Sequence, residues 1–362
     1  MTSAPRVAFV IDSLPSLGGG EKVLFTALES YPHADIFTLV YNSPLFINTP
    51  LAERGIKTSW LNDLPFAKQY HRLLLPLMPA AIERFDLQAY DFVVCFSYAV
   101  AHGVSKYNGA RHVSYTYTPM RYAWTDLNLN GTHTRKSLML NGFMHAFRKW
   151  DRRAAARVHA FASISQTVSR RIADAYHRAA PVIYPPVDVG RFKPVGPRKD
   201  YYMTITRLVP HKRVDLIVQA FSKLNLPLVV VGQGPELPRL QQMAASNIQF
   251  LGYAPDDTVI ELLGKARGFV SAAEEDFGIA IVEAQAAGCP VIAYGRGGAL
   301  ETVIPGVTGL HFADQTVESL ISAVQEFERR QSSFHVDDLV QNAQKYRKER
   351  FQSEFQKFVM GG

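Results

Sequence analysis

Two series of short apolar runs, each alternating with helix-like segments, constrain this chain more than any other feature. The first series is Arg6–Ile11, Ile36–Val40, Phe92–Phe96, His112–Tyr117 and Ala160–Ile164, with a Gly-rich turn and a helix from about Glu21 to Ser30 after its first run. The second is Tyr202–Thr206, Pro227–Val231, Ile248–Leu251, Gly268–Ala272 and Pro290–Tyr294. Such runs read as strands buried on both faces. Strands alternating with helices call for a parallel sheet covered on both sides, an α/β fold. Between the series, Pro181–Gly196 holds four prolines and reads as a linker. At 362 residues the chain is long enough for two domains, and their expected spans are 1–185 and 186–340. The last ~25 residues read as one helix, with Phe351, Phe355, Phe358 and Val359 on one face. Two doubly wound sheets facing one another leave a ligand cleft at the carboxyl ends of their strands.

Composition narrows the class. No apolar run approaches the ~20 residues needed to span a bilayer; Phe92–Ala101 and Leu73–Ile82 are too short. One Arg precedes a five-residue apolar run that Asp12 stops, so no signal peptide is visible. Cys95 and Cys289 sit in apolar stretches and read as buried free thiols of a cytoplasmic protein. The net charge of +7 is concentrated: residues 135–178 hold ten Lys/Arg against two Asp, a net +8, which leaves about −1 elsewhere. Arg148, Lys149, Arg152, Arg153 and Arg157 fall on helical spacing among Phe143, Phe147, Trp150 and Val158. A solvated helix face is the plain reading, and an anionic membrane surface or a polyanionic acceptor the sharper one. No nucleic-acid-binding motif accompanies the charge.

Chemistry concentrates in Ser271–Pro290 (SAAEEDFGIAIVEAQAAGCP), where Glu275 and Glu283 stand eight positions apart. A helix beginning near Gly278 puts Glu275 in the loop before it and Glu283 about a turn and a half inside it. The N–H groups of Gly278, Ile279 and Ala280 then lie at the positive end of the helix dipole, and Phe277 leads into them. That mouth suits a ligand rich in hydroxyls and negative charge. Arg207 and Lys212, five apart after the first strand of the second half, can both reach a diphosphate. Gly18, Gly19 and Gly20 with Glu21 occupy the turn after the first strand, where glycines let the backbone approach a phosphate. G-x-G-x-x-G fails there, since Val23 stands third, and again at Gly232 and Gly234, where Leu237 does. Tyr115–Trp124 (YTYTPMRYAW) is a dense aromatic loop that is either core packing or part of a site. His102 is a lone histidine with a structural role at least as plausible as a functional one.

The whole of Ser271–Pro290 resembles the E-x7-E signature of retaining glycosyltransferases of family 4. Thr206–Phe221 resembles that family's R-L-x-x-x-K-x-x-D-x-L-I-x-A-F motif, and Gly18–Glu21 fits its G-G-x-E. The resemblance implies the GT-B fold, with two Rossmann-like domains and a C-terminal helix, residues 341–362, packed back on the first. It implies that Arg207, Lys212 and Glu275 serve the reacting diphosphate and sugar, and that Glu283 meets the ribose. Gly19 and Gly20 would lie under the donor phosphates, and Gly232 and Tyr253, in Val231–Glu236 and Phe250–Tyr253, would line the nucleotide site. The aromatic loop resembles one in bacterial polysaccharide (O-antigen or exopolysaccharide) mannosyltransferases, which often have His where Tyr117 stands here. His102, Tyr117 and Arg121 are then acceptor-side or sugar-side candidates. No Asp-x-Asp occurs, and the cations supply what Mg²⁺ would, so neither metal nor cofactor is expected. The implied reaction transfers a sugar, with retention, from a nucleotide sugar resembling GDP-mannose to a lipid-linked saccharide. The expected place is the inner face of the cytoplasmic membrane, bound peripherally through an anionic surface, with no nucleic acid as partner. A GT-B epimerase acting on a UDP-sugar, or a basic membrane- or nucleic-acid-binding protein, are the alternatives.

Overall fold

The computed structural model describes residues 5–124 and 138–361. Arg135 and Lys136, the first cations of the basic stretch, lie outside them. The chain divides into two compact units, Met1–Pro186 with Phe351–Gly362, and Val187–Arg350.

The first unit is a six-stranded sheet in the order β3-β2-β1-β4-β5-β6, every neighbouring pair parallel. Its strands are β1 (Val7–Ile11), β2 (Asp35–Thr38), β3 (Ile56–Thr58), β4 (Phe92–Ser97), β5 (Arg111–Thr116) and β6 (Ala160–Ser163). Helix α1 (Gly19–Ser30) follows β1, and α2 (Arg121–Trp124) and α3 (Leu138–Ala156) lie between β5 and β6. Phe9 stands opposite Ile36 on β2 and Val94 on β4, which sets the register of the centre. All of β1 is buried, as a central parallel strand must be.

The second unit repeats this order. Its sheet runs β12-β11-β10-β7-β8-β9, again wholly parallel. The strands are β7 (Tyr202–Ile205), β8 (Leu228–Val231), β9 (Ile248–Gly252), β10 (Gly268–Ser271), β11 (Val291–Tyr294) and β12 (Gly309–Phe312). Helix α4 (Val214–Leu224) follows β7, α5 (Ile279–Ala286) joins β10 to β11, and α6 (Val317–Arg330) follows β12. In each sheet the first strand in sequence pairs with both the second and the fourth. The chain therefore reverses its winding direction at β1/β4 and at β7/β10, which are the places where such sheets open for ligands.

Two edge strands, β3 and β12, did not stand out as apolar runs. β3 has only three residues and centres on Lys57, and β12 carries His311 inside its four. That lysine lies over the Phe37 ring and bonds Asp35 and Tyr90, so the edge is charged, as sheet edges are.

The last helix, α7 (Lys348–Met360), places Phe351, Phe355, Phe358 and Val359 on its buried face, at the i, i+4, i+7, i+8 spacing of an amphipathic helix. Phe355 stacks on Phe351 at 5.1 Å and on Phe96 at 5.7 Å, and meets Phe9 edge-on. Tyr115 closes the group against Phe351. Each such ring contributes about 2–3 kcal/mol by leaving water. The core of the first unit is thus built from both ends of the chain.

Asp12, directly after β1, is almost fully buried and accepts four consecutive backbone N–H groups. Oδ2 takes Tyr98 at 2.6 Å and Ala99 at 3.0 Å, while Oδ1 takes Val100 and Ala101, the latter at 2.7 Å. Burial pushes this carboxyl above its ordinary range against the pull of those N–H groups. The bonds lock the turn after β4 to the end of β1 at the winding reversal. Asp12→Ala should cost about 3 kcal/mol or more, because it orphans several buried donors at once. A thermal melt should show the loss; an unchanged midpoint would mean that water serves those groups equally well.

Candidate active site

At the carboxyl edge of the second sheet, β7 and β10 separate, and one ion pair bridges the gap. The Lys212 ammonium lies 2.7 Å from both carboxylate oxygens of Glu275. Lys212 sits in the turn after β7, Glu275 in the loop after β10, and about a fifth of each side chain remains exposed. Arg207, at the start of the same turn, is exposed.

Local backbone chemistry aims this pair. Directly after Lys212, Arg213 adopts a left-handed conformation (φ 51°), which is uncommon for a residue with a side chain. Its guanidinium is held by Asp215 and by Gln315, whose amide in turn reaches the Ala272 carbonyl at the end of β10. The strained turn is thus tied to the strand that carries Glu275. On the other side, Gly298 donates to the Glu275 carbonyl at 2.7 Å, and any Cβ there would come within 2.5 Å of the Phe277 backbone. Only glycine lets that loop lie on the Glu275–Phe277 segment.

Helix α5 begins at Ile279 behind Gly278, which is left-handed (φ 92°) and supplies no side-chain cap. Glycine alone takes that conformation freely. Gly278, Ile279 and Ala280 are partly exposed at this helix start, in keeping with a mouth that offers N–H groups. The Phe277 ring, however, is buried edge-on against Tyr346, which leaves its main chain as what a ligand could meet. Glu283 is partly exposed between buried Val282 and Ala284. The fully buried polar residue of this helix is Gln285, two positions on, bonded to the Thr302 carbonyl and to Asn342. Gln285, Gln315 and Gly298 carry no local mark in the sequence, because their partners lie far along the chain.

The remaining second-unit candidates join the same edge through the main chain. Leu208 donates to Gln233, and Gly232 donates to Gly252 at 2.7 Å. The Val231–Glu236 loop therefore lies between the Arg207 turn and Tyr253, whose side chain is exposed. Arg207, Lys212, Gly232, Tyr253 and Glu275 all lie on loops that follow the carboxyl ends of this sheet's strands.

Gly19, Gly20, His102, Tyr117 and Arg121 belong to the first unit. Gly19 and Gly20 open α1 behind Gly18, again without a side-chain cap. The Tyr117 hydroxyl donates to the Gly20 carbonyl at 2.8 Å, which ties the loop after β5 to the glycine turn. Burial, with Tyr115, Glu21 and Asp12 nearby, holds that hydroxyl far above its ordinary pKa, so it stays a donor. Arg121 starts α2 and is partly exposed. His102 is buried. Its Nδ1 lies 3.0 Å from Ser97 Oγ, and its Nε2 lies 3.0 Å from Asp151, close enough for attraction but off the line of a hydrogen bond. Asp151 also accepts from the Trp124 indole at 2.6 Å and the Tyr176 hydroxyl at 2.9 Å. With both faces occupied by protein, His102 holds α3 and the loop after β4 in place.

Both cysteines are buried free thiols. Cys95 lies 3.3 Å from His112, whose pKa burial pushes down to about 3, with His102, His159 and Arg157 adding to the shift. This pair is neutral and sealed.

Residues 191–348 match the family model described as glycosyl transferases group 1. A GDP-mannose-dependent alpha-(1-6)-phosphatidylinositol monomannoside mannosyltransferase of Mycobacterium tuberculosis is 33% identical over 196 residues, 45% of this chain and 51% of the relative. Its monoacylated-acceptor counterpart from Corynebacterium glutamicum is 33% identical over 214 residues, 50% of this chain and 55% of the relative. This chain thus spans about half the length of the curated relatives it matches. Among solved structures, sucrose-phosphate synthase from Thermosynechococcus elongatus superposes with a TM-score of 0.76 at 16% identity, covering 99% of both chains. The two parallel sheets and this likeness give the chain the GT-B fold, and residues 191–348 are the part that resembles the group 1 glycosyl transferases.

Proposed function

We propose that the chain is a retaining, metal-independent glycosyltransferase that passes mannose from GDP-mannose to a lipid-linked saccharide at a membrane surface, in cell-surface polysaccharide synthesis. The observation that carries this reading is the Lys212–Glu275 pair at the winding reversal of the second sheet. A donor diphosphate competes with Glu275 for the ammonium, and Glu275, once released, accepts from the sugar hydroxyls. Arg207 adds a planar fork to the same diphosphate. Together the two cations offset the negative charge that grows on the leaving group as the glycosidic bond breaks. The phosphate oxygen then takes the acceptor's proton on the face where the bond broke, so no separate base is assigned. The N–H groups at the start of α5 face the donor, and Glu283 accepts from the ribose. The sugar and base follow the names of the relatives above.

The membrane part of the proposal rests on charge and on exposed apolar residues. No helix among the described residues is long and apolar enough to cross a membrane. The apolar side chains of residues 66–78 divide between core and surface. Leu74 and Leu75 pack on the core and Met78 is buried, while Phe66, Tyr70, Leu73 and Leu77 are exposed beside Lys68 and Arg72. This follows from a short 3₁₀ stretch, His71–Leu77, which turns successive side chains to different sides.

Arg207→Ala and Lys212→Ala should each lower kcat/KM for GDP-mannose by roughly a hundredfold, with turnover surviving excess EDTA. A strict Mg²⁺ requirement, or near-normal turnover in either variant, would remove the diphosphate assignment. Glu275→Gln should lower kcat by about a hundredfold, yet tighten GDP binding about two- to fivefold, because Lys212 loses a partly exposed competitor. Glu283→Ala should instead weaken GDP binding, since a ribose contact is made alike in ground and transition states. Calorimetry with GDP separates the two, and wild-type affinity in both variants would sink both roles.

A further inference from the structure

The outer face of α3 and the end of α2 enclose a recess of about 640 Å³ lined by Trp124, His145, Arg148, Lys149, Arg152 and Arg153. Four permanent cations crowd this space, and among the described residues no carboxylate pairs with any of them. Asp151, which lies between Lys149 and Arg152 on the same helix, is fully buried and turned inward to Trp124, Tyr176 and His102. Uncompensated cations repel one another, so an arrangement that holds them together suits an anion.

The guanidinium groups are not loose. Arg148 donates its Nε to the Ala123 carbonyl, and Arg152 its Nε to the Ala175 carbonyl at 3.1 Å. Arg153 uses Nε on the Lys149 carbonyl. In each case the bond fixes the stem through Nε, and the two terminal nitrogens remain for a ligand. Arg152 also lies 4.9 Å over the Trp124 ring, whose orientation is set by the bond from its indole N–H to buried Asp151. Planar forks held at fixed angles match the tetrahedral oxygens of a phosphate, and a diffuse cationic surface would not need this anchoring.

We propose that this recess binds the phosphate of an anionic lipid headgroup at a bilayer surface. The inference rests on the lipid-linked acceptor reading and deepens it, giving the membrane contact a stereochemical site rather than charge alone. A bilayer is favoured as the source because the same unit exposes Phe66 and Leu73, each about three-quarters accessible, near Lys68 and Arg72 in sequence. Each basic residue near such a surface adds to the attraction, so four suffice for measurable attachment.

The test uses the full chain with phosphatidylcholine vesicles, with or without phosphatidylglycerol, in a flotation assay. The wild type should bind only the anionic vesicles. Arg148→Gln with Arg152→Gln should weaken binding by roughly tenfold or more. Lys149→Gln with Arg153→Gln, which removes no bond between elements, should do the same and guards against misfolding. Arg152→Lys keeps the charge but loses the fork, and should still weaken binding severalfold. A control, Arg329→Gln with Arg330→Gln in the second unit, should change it little. Full affinity in Arg152→Lys, or an equal loss in the control, would overturn the proposal in favour of diffuse attraction. Binding to a single-stranded oligonucleotide but to no vesicle would overturn it as well, and so would saturation by inorganic phosphate without vesicle binding. GDP binding, measured on the same variants, keeps the two readings apart. Vesicle binding that depends on the recess in a protein that binds no nucleotide would uphold the site and refute the glycosyltransferase reading.

Discussion

The bidentate contact between Lys212 and Glu275 sets the terms for everything around it in the second unit. A parallel sheet wound in both directions must part its loops at one place, and here that place is spanned by two opposite charges that stay partly wet. The left-handed Arg213, its bonds to Asp215 and Gln315, and the close approach of Gly298 all serve to hold the two ends of that span. Because both partners are charged and reachable by solvent, the contact joins the two loops without sealing the space between them.

The first unit has the same strand order and treats the equivalent opening differently. There Asp12 fills the gap with its own carboxylate, satisfied by four N–H groups and shut away from water. Nearby, Tyr117 spends its proton on the Gly20 carbonyl. One topology thus yields a self-satisfied rim shut away from water in one unit and a partly wet, charged one in the other. The difference lies in a few side chains and not in the fold.

Much of this was legible in the chain itself. The ten apolar runs each became a strand: the eight central ones are covered on both faces and leave a dense apolar signature, and the edge strands β6 and β9 keep enough of it to be read. Two of the four edge strands, β3 and β12, escaped, since Lys57 and His311 interrupt their short apolar runs. Glu275, Lys212 and Gly278 stood out because their spacing in Ser271–Pro290 and Thr206–Phe221 sets charge and glycine at a strand end and a helix start. His102 carried no such mark. A histidine sealed between Ser97 and Asp151 reads, residue by residue, like one facing solvent, and the partners that decide its role lie five and forty-nine positions away. Gln285 and Gln315 were hidden for the same reason, since their bonds join segments that only the folded chain brings together.

The aromatic cluster that joins Phe9, Phe96 and Tyr115 to Phe351 and Phe355 has a consequence for biosynthesis. Domains usually mature in order as a chain leaves the ribosome, the N-terminal one first. Here the earlier unit lacks two of its central rings until Phe351 and Phe355 have been translated, after the whole of the later unit. The nascent first sheet must therefore persist with an open apolar face while the second folds, which makes it a natural client for chaperones and makes late translational arrest costly.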